Sequence, residues 1–106
     1  MSYVKEIYEE ANQKAREHTL KEVGENVMIF PCGFAWVELK VQKRDKLGKE
    51  LENEELMKWD DYRKCYRNWI GDYNQSMSHK EEHAMKMAEI LSEEFQVKFT
   101  FNSRMD

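Results

Sequence analysis

Hydrophobic and polar residues alternate along residues 34–41, and this alternation predicts a β-strand. One side of the strand is entirely apolar: Ala35, Val37, Leu39 and Val41. The other side begins aromatic and ends charged: Phe34, Trp36, Glu38 and Lys40. We therefore expect one face on a core, and the other to leave a buried region for water. Pro31 and Gly33 predict a bend before the strand, and residues 27–30 form either a preceding strand or the same strand before the bend.

Two segments have the spacing of amphipathic helices. The first covers residues 3–22, and its apolar positions share one face: Val4, Ile7, Tyr8, Ala11 and Ala15. The second begins at Ser78, which has Glu81 three positions on as in a capping box, and runs to Phe95. Its core stripe is unbroken: Ala84, Met87, Ala88, Leu91 and Phe95. The first helix packs either on the sheet or against the same helix of a second copy.

Two further strands are predicted, and a less regular segment precedes them. Residues 62–72 alternate and are rich in aromatic side chains, which favour strands. Residues 96–102 alternate strictly. Three of their side chains are expected to point inward: Val97, Phe99 and Phe101. Residues 42–59 predict one broken helix or two short turns, because Gly48 and Asn53 weaken the helical pattern.

The predicted order is a helix followed by β-α-β-α-β, which is typical of a small α+β or α/β domain. A strand, a helix and a strand in succession favour parallel neighbours joined by a crossover. We expect a three-stranded sheet packed by helices on one face, in a single domain over residues 1–106. The opposite face carries Trp36 with Trp69 or Tyr66, and we expect binding there.

The composition limits the class of function. The chain has 17 basic and 21 acidic residues and a formal net charge of −4. This charge argues against binding of bulk nucleic acid, which depends on neutralising phosphates. The chain is charged from Lys5 onward, so neither a signal peptide nor a membrane span is predicted. Two cysteines without a spacing motif favour a reducing compartment, and we expect a cytoplasmic protein.

Candidates for catalysis or metal binding are weak. His79 and His83 have the i, i+4 spacing of a metal pair, but Lys80 stands where a zinc-protease helix needs glutamate. We expect both histidines in a solvated first turn of the helix. Cys32 and Cys65 are candidate nucleophiles, but free cysteine usually behaves as a small buried hydrophobe. We therefore predict no catalytic residue, no metal and no cofactor.

Aromatic and basic residues give a stronger signal, because aromatic faces stack on bases and arginines hold phosphates. The aromatic set clusters around the two inner strands and their ends: Trp36, Trp59, Trp69, Tyr62, Tyr66 and Tyr73. The basic set lies nearby: Arg44, Arg63, Lys64, Arg67 and Arg104. The alternative is that the aromatic residues belong to the core and the basic residues are solvated.

Several short motifs stand out: Pro31-Cys32-Gly33-Phe34-Ala35-Trp36-Val37, Trp69, Gln75-Ser76, Lys80-Glu81 and Ser103-Arg104-Met105-Asp106. These motifs resemble a family of short, uncharacterised bacteriophage proteins that carry a Cys-Gly-Phe-Ala-Trp-Val core and end in Ser-Arg-Leu-Asp or similar. The resemblance covers residues 27–106 and implies a phage origin, but it implies no activity. The chain departs from the family in its acidic segment from Glu50 to Asp61, where a short basic helix and a glycine-rich turn are expected.

Three classes of function follow. The first is a binding protein for a small anionic, nucleotide-like ligand, as in phage proteins that capture host immune signals. The second is an inhibitor or accessory subunit that binds a host or phage protein. The third is a small enzyme that uses Cys32, or Arg104 with Asp106.

The predicted ligand site has four members: Trp69, Gln75, Ser76 and Arg104. In open parallel sheets, ligands bind beyond the carboxyl ends of the strands, where Trp69, Gln75 and Ser76 are expected. Arg104 reaches the same end if the last strand runs parallel to the second. Trp69 would stack on a ring, and Arg104 would bind an anionic group through two hydrogen bonds. Trp36 and Cys32 join the site only if the first two strands pair antiparallel, because the bend then meets the loop that follows Trp69.

Overall fold

The computed structural model describes residues 3–24, 33–71 and 76–105. Its elements follow the order α1 (Tyr3–Glu22), β1 (Gly33–Leu39), α2 (Lys46–Asn53), β2 (Lys58–Asp60), β3 (Cys65–Trp69), α3 (Met77–Phe95) and β4 (Thr100–Met105). The predicted α+β class with an N-terminal helix is confirmed. The predicted bend at Pro31 and the predicted strand over residues 27–30 lie outside the described residues.

The sheet differs from the prediction in strand number and direction. Its order is β2-β3-β1-β4, and each neighbouring pair runs antiparallel. The prediction of three strands with parallel neighbours is therefore wrong. Residues 61–64 join β2 to β3, and so short a connection permits only an antiparallel hairpin. Strand β2, which the chain reaches through α2, therefore runs parallel to β1, and the hairpin makes β3 antiparallel to β1.

Helix α3 packs on one face of the sheet, which carries Ala35, Val37 and Leu39 and is called the inner face below. Helix α1 packs mainly against α3, and its Tyr8 hydroxyl accepts a hydrogen bond from the Asn68 side chain of β3 at 2.6 Å. Most of the predicted helix stripe is buried there: Val4, Tyr8, Ala11, Ala15, Ala84, Met87, Ala88 and Leu91. Ile7 and Phe95 are partly buried against this core. The two amphipathic helices are therefore organised as their spacing predicts, and the face opposite them is left to the polar and aromatic side chains of the strands.

The irregular middle segment forms one short helix and one short strand. Helix α2 begins after Asp45, whose carboxylate accepts a hydrogen bond from the Gly48 N–H at 3.1 Å. Gly48 was expected to weaken this helix, but it has a packing role. The Tyr66 ring occupies the place where a Cβ atom at position 48 would lie. The glycine therefore lets α2 approach the sheet closely.

The start of α3 lies closer to the chain's N-terminus than its capping-box spacing predicts. The Ser76 hydroxyl accepts a hydrogen bond from the His79 N–H at 3.4 Å, so Ser76 and not Ser78 caps the helix. At the other end, Gln96 adopts a left-handed φ of 56°. Such a residue is a common way for a helix to end.

The last strand is shifted along the chain relative to the prediction. It runs over Thr100–Met105, because the left-handed residue that ends α3 occupies the start of the predicted strand over residues 96–102. Phe99 is buried, but Val97 and Phe101 are 37% and 40% exposed. Only one of the three side chains predicted to point inward therefore belongs to the core.

Candidate functional site

The register of the sheet brings two tryptophans together on the outer face, opposite the helices. Trp36 in β1 lies directly across from Trp69 in β3, and their ring centroids are 4.6 Å apart. Phe34 meets Trp69 edge-on, with the centroids 5.6 Å apart. Arg104 in β4 lies across from Phe34. The antiparallel pairing of β1 therefore brings Trp36, Trp69 and Arg104 onto one surface.

Two arginines stack on these rings. The guanidinium carbon of Arg67 lies 4.9 Å from the ring centroid of Trp69 and 5.4 Å from that of Trp36. The guanidinium carbon of Arg63 lies 5.1 Å from the Trp36 centroid, and aromatic faces attract cations at such distances. Only 3% of Trp36 remains exposed. Glu38 is buried as well, so the outer side of β1 is covered by arginine side chains further along than expected, and only Lys40 at its end is exposed.

A buried carboxylate holds Arg63 and Trp36 in place within the arginine layer, the name used below for Arg63 and Arg67 where they cover the tryptophan rings. Glu38 is 1% exposed, and it accepts hydrogen bonds from the Trp36 indole N–H at 2.6 Å and from Arg63 Nε at 3.1 Å. Arg67 forms an ion pair with Asp60. Both stacked arginines therefore have a carboxylate partner. Their role is to hold the rings in place rather than to present free charge.

Asp60 also shapes the turn that carries Arg63. Its Oδ1 atom accepts hydrogen bonds from the backbone N–H groups of Tyr62 at 2.9 Å and Arg63 at 3.0 Å. The Arg63 N–H makes the largest contribution to lowering the pKa of the Asp60 carboxyl, and the charge of Arg67 lowers this pKa further. Asp60 is thus charged at neutral pH and places Arg63 against Trp36.

Two cations that have no carboxylate partner among the described residues lie at the Phe34 end of the surface. The Arg104 guanidinium carbon and Lys80 Nζ lie 5.6 Å and 5.3 Å from the Phe34 centroid. Lys80 is only 5% exposed, and Nζ donates one hydrogen bond, to the Gly33 carbonyl at 3.3 Å. An ammonium group has three donors. Within residues 3–24, 33–71 and 76–105, neither cation forms an ion pair with a carboxylate. This end of the outer face is therefore a candidate anion site.

Trp69 is 40% exposed and borders a groove of about 570 Å³. The end of α2, strand β2 and strand β3 supply its other walls: Glu52, Glu55, Leu56, Met57, Lys58, Arg67 and Asn68. A second depression of about 420 Å³ shares Lys58, Arg67 and Trp69 with it. Small-molecule sites have volumes of roughly 300–1,000 Å³. Trp69 therefore lies between a groove of ligand size and Phe34 with its two cations.

Only some residues of the predicted site lie together in the structure. Trp69, Trp36 and Arg104 share the outer face, as expected for antiparallel strands. Ser76 is 1% exposed, and its hydroxyl is engaged with His79 at the start of α3. Its role in the structure is to cap the helix. Gln75 and Cys32 lie outside the described residues.

The two histidines of α3 are fully buried, which corrects the prediction of a solvated first turn. His79 Nε2 lies 2.6 Å from the Gly24 carbonyl oxygen, and its Nδ1 lies 2.7 Å from the Ser76 hydroxyl. His83 Nε2 lies 2.7 Å from Asn12 Oδ1 of α1. Among the described residues, no group of three or more histidine, cysteine or acidic side chains is placed to hold a metal ion. The histidines connect α3 to α1.

Cys65 is buried beneath the arginine layer. Burial raises the pKa of its thiol, and the nearby carboxylate of Glu38 raises this pKa further. Because the thiolate is the reactive form, such a thiol is a poor nucleophile. The structure thus gives Cys65 the role of a small core residue.

This environment predicts slow chemical modification of Cys65. In a Cys32→Ser variant, a chromogenic disulfide reagent should react slowly with the folded protein at mildly alkaline pH and promptly in denaturant. Both burial and the raised pKa of the thiol act in this direction. The measurement is the rate of colour release with and without denaturant. Equal rates in the two conditions would show that Cys65 is accessible and reactive.

Sequence reasoning missed three residues that define the site. Phe34 shares the face of Trp36 by simple alternation, so its position was available from the sequence, but its contact with Arg104 needed the register of β4. Lys80 lies in α3 and reaches the start of β1 across 47 positions of sequence. Glu55 lies in the acidic segment from Glu50 to Asp61. Lys80 stood out only as part of the Lys80-Glu81 motif, and Glu55 gave no local signal.

Among the described helices, none is both long and apolar enough to cross a membrane. No protein-family model, curated protein or solved structure matches this chain, so its functional interpretation depends on the geometry of the outer face.

Proposed function

We propose that this protein binds a small anionic, nucleotide-like ligand on its outer face. A planar ring of the ligand stacks near Trp69, and a phosphate or similar group binds Arg104 and Lys80. The observation that carries the proposal is the pair of cations beside Phe34, which have no carboxylate partner within the described residues and adjoin an exposed tryptophan.

The energetics of the surface favour such a ligand. Stacking of one base on an aromatic side chain contributes about 1–3 kcal/mol. Lys80 is nearly buried, and an anion that reaches it interacts in a medium of low dielectric, where the attraction is stronger than in water. The contacts among Trp36, Arg63 and Glu38 hold the aromatic surface beside Trp69 rigid before a ligand binds, which reduces the entropy lost on binding. The net charge of −4 suits a compact anion better than a long polyanion.

The resemblance to short phage proteins suggests a biological setting for this activity. A phage protein that sequesters a nucleotide signal of the host would lower its free concentration without any catalytic residue. Such a protein would act in the cytoplasm of the infected cell. This part of the proposal depends on the resemblance, and the binding site does not.

The test is calorimetry and tryptophan fluorescence with a panel of cyclic and linear nucleotides. We expect at least one to bind and to quench the emission, because Trp69 is exposed and borders the groove. Arg104→Ala should weaken this binding by roughly 10- to 100-fold, the effect of losing a charge-assisted hydrogen bond. Arg44→Ala is the matched control, since Arg44 is exposed in the turn before α2 and should leave the affinity unchanged. Failure of the parent protein to bind any nucleotide at millimolar concentration would refute the proposal.

A protein partner is the second candidate, and strand β4 favours it. This strand lies at the edge of the sheet, and two of its apolar side chains, Phe101 and Met105, are 40% and 66% exposed. An edge strand can add a strand from another protein or from a second copy of the chain. Recovery of a specific host protein by the parent, and its loss with Phe101→Lys, would favour this alternative if no nucleotide binds.

A further inference from the structure

The groove beside Trp69 is lined by both negatively and positively charged side chains. Leu56 and Met57 provide apolar surface, and the charged lining residues are Glu52, Glu55, Lys58 and Arg67. The Glu52 carboxylate accepts a hydrogen bond from the Trp59 N–H at 3.1 Å, and Arg67 pairs with Asp60, which leaves Glu55 and Lys58 as one carboxylate and one ammonium group. Both charged side chains are exposed, and neither forms an ion pair within the part of the chain that the structure describes. A ligand that enters this groove from Trp69 therefore meets a free acceptor and a free donor.

The backbone gives no reason for a glutamate at position 55. Helix α2 ends there with hydrogen bonds from the Leu56 N–H to the Leu51 carbonyl at 2.9 Å and from the Glu55 N–H to the Glu52 carbonyl at 3.0 Å. Glu55 has φ of 61°, at the position where this kind of helix end usually has glycine. A side chain in this conformation is less favourable than glycine. The fold would thus accept glycine, and the carboxylate of Glu55 is left without a structural task.

We infer that the groove receives a guanine base, with Glu55 as the acceptor for its two adjacent N–H donors and Lys58 as the donor to its carbonyl oxygen. This inference rests on the proposed nucleotide binding and names the base. An ionised carboxylate only accepts hydrogen bonds and can take two parallel donors. Guanine offers a ring N–H and an amino group side by side, next to an oxygen that lysine side chains commonly contact. Uracil places carbonyl groups on both sides of its ring N–H, which a carboxylate repels.

Guanosine and inosine monophosphates give the sharpest test, because their bases differ only in the amino group. Calorimetry with the parent protein should show tighter binding of guanosine monophosphate by roughly 5- to 100-fold, the discrimination of one paired contact to a base. Adenosine and uridine monophosphates should bind more weakly than guanosine monophosphate. In Glu55→Gly the advantage of guanosine over inosine monophosphate should vanish, because guanosine monophosphate loses two hydrogen bonds to the carboxylate and inosine monophosphate, which keeps only the ring N–H, loses one.

The control is Gln96→Gly, which makes the same backbone change at a left-handed residue that ends another helix and does not line the groove. It should keep the preference for guanosine monophosphate. Equal binding of the two nucleotides by the parent, with sensitivity to Arg104→Ala, would overturn the guanine inference and leave the proposed function standing. A preference that survives Glu55→Gly would also overturn it. Absence of binding by every nucleotide would overturn both.

Discussion

Replacing Leu91 by alanine is expected to lower the free energy of unfolding by about 2–5 kcal/mol, the usual cost of truncating a buried leucine. Leu91 is fully buried in the core between α3 and the inner face of the sheet. Its removal loses apolar burial and leaves a cavity that the surrounding helices fill only in part. Denaturation in urea, followed by circular dichroism, should show a lower midpoint with an unchanged slope.

Met85→Ala is the matched control for this experiment. Met85 lies on the same helix, and it is 37% exposed. Its truncation removes a side chain of similar size from a partly solvated position, and it should change stability much less than Leu91→Ala. A midpoint for Leu91→Ala equal to that of the parent would show that this face of α3 does not form the core.

The long helices were predictable because their apolar stripes extend over several turns. The stripe from Val4 to Ala15 and that from Ala84 to Leu91 are both buried. Their ends were less predictable. Ser76 and Ser78 both fit a helix cap, and the choice of Ser76 depends on His79, whose ring contacts the Gly24 carbonyl from a distant part of the chain.

The sheet was only partly predictable, because pairing and direction depend on residues far apart in sequence. Strand β1 has the clearest alternation, and it forms as expected. Strand β2 has three residues, Lys58–Asp60, which are too few for a pattern. The end of the outer side of β1 was expected to be exposed to solvent because Glu38 is charged. Arg63, 25 positions away, supplies the partner that makes its burial acceptable.

The same limit applies to buried polar groups and to the candidate site. His83 is polar by sequence, but Asn12 of α1, 71 positions away, satisfies it in the interior. Trp69 and Arg104 were identified as binding candidates from residue type alone, and the register of β1 with its two neighbours gives their arrangement. The burial of Lys80 beside Phe34 could not be predicted from sequence, because a lysine in the first turns of a helix is ordinarily solvated.

Replacing Arg63 by alanine is expected to cost about 3 kcal/mol of stability, near the lower end of the range for leaving a buried charge without its partner. The Glu38 carboxylate would then keep the Trp36 indole N–H and a distant ammonium, Lys40 Nζ at 3.8 Å. The cost lies at the lower end because Arg63 is itself 33% exposed, whereas Glu38 is 1% exposed. Chemical denaturation measures the loss, and Arg44→Ala, at an exposed arginine of another turn, is the control.

A second substitution separates the charge of Glu38 from the packing of Arg63. In Arg63→Ala with Glu38→Gln, the buried group is a neutral amide that can still accept from the Trp36 indole and needs no counter-charge. The double variant should therefore be more stable than Arg63→Ala alone, although Glu38→Gln by itself removes an ion pair. A loss below about 1 kcal/mol for Arg63→Ala would instead be typical of a surface pair. In that case, Arg63 would not be what holds Trp36 beside Trp69, and the aromatic surface on which a ligand ring stacks would lack its rigid support.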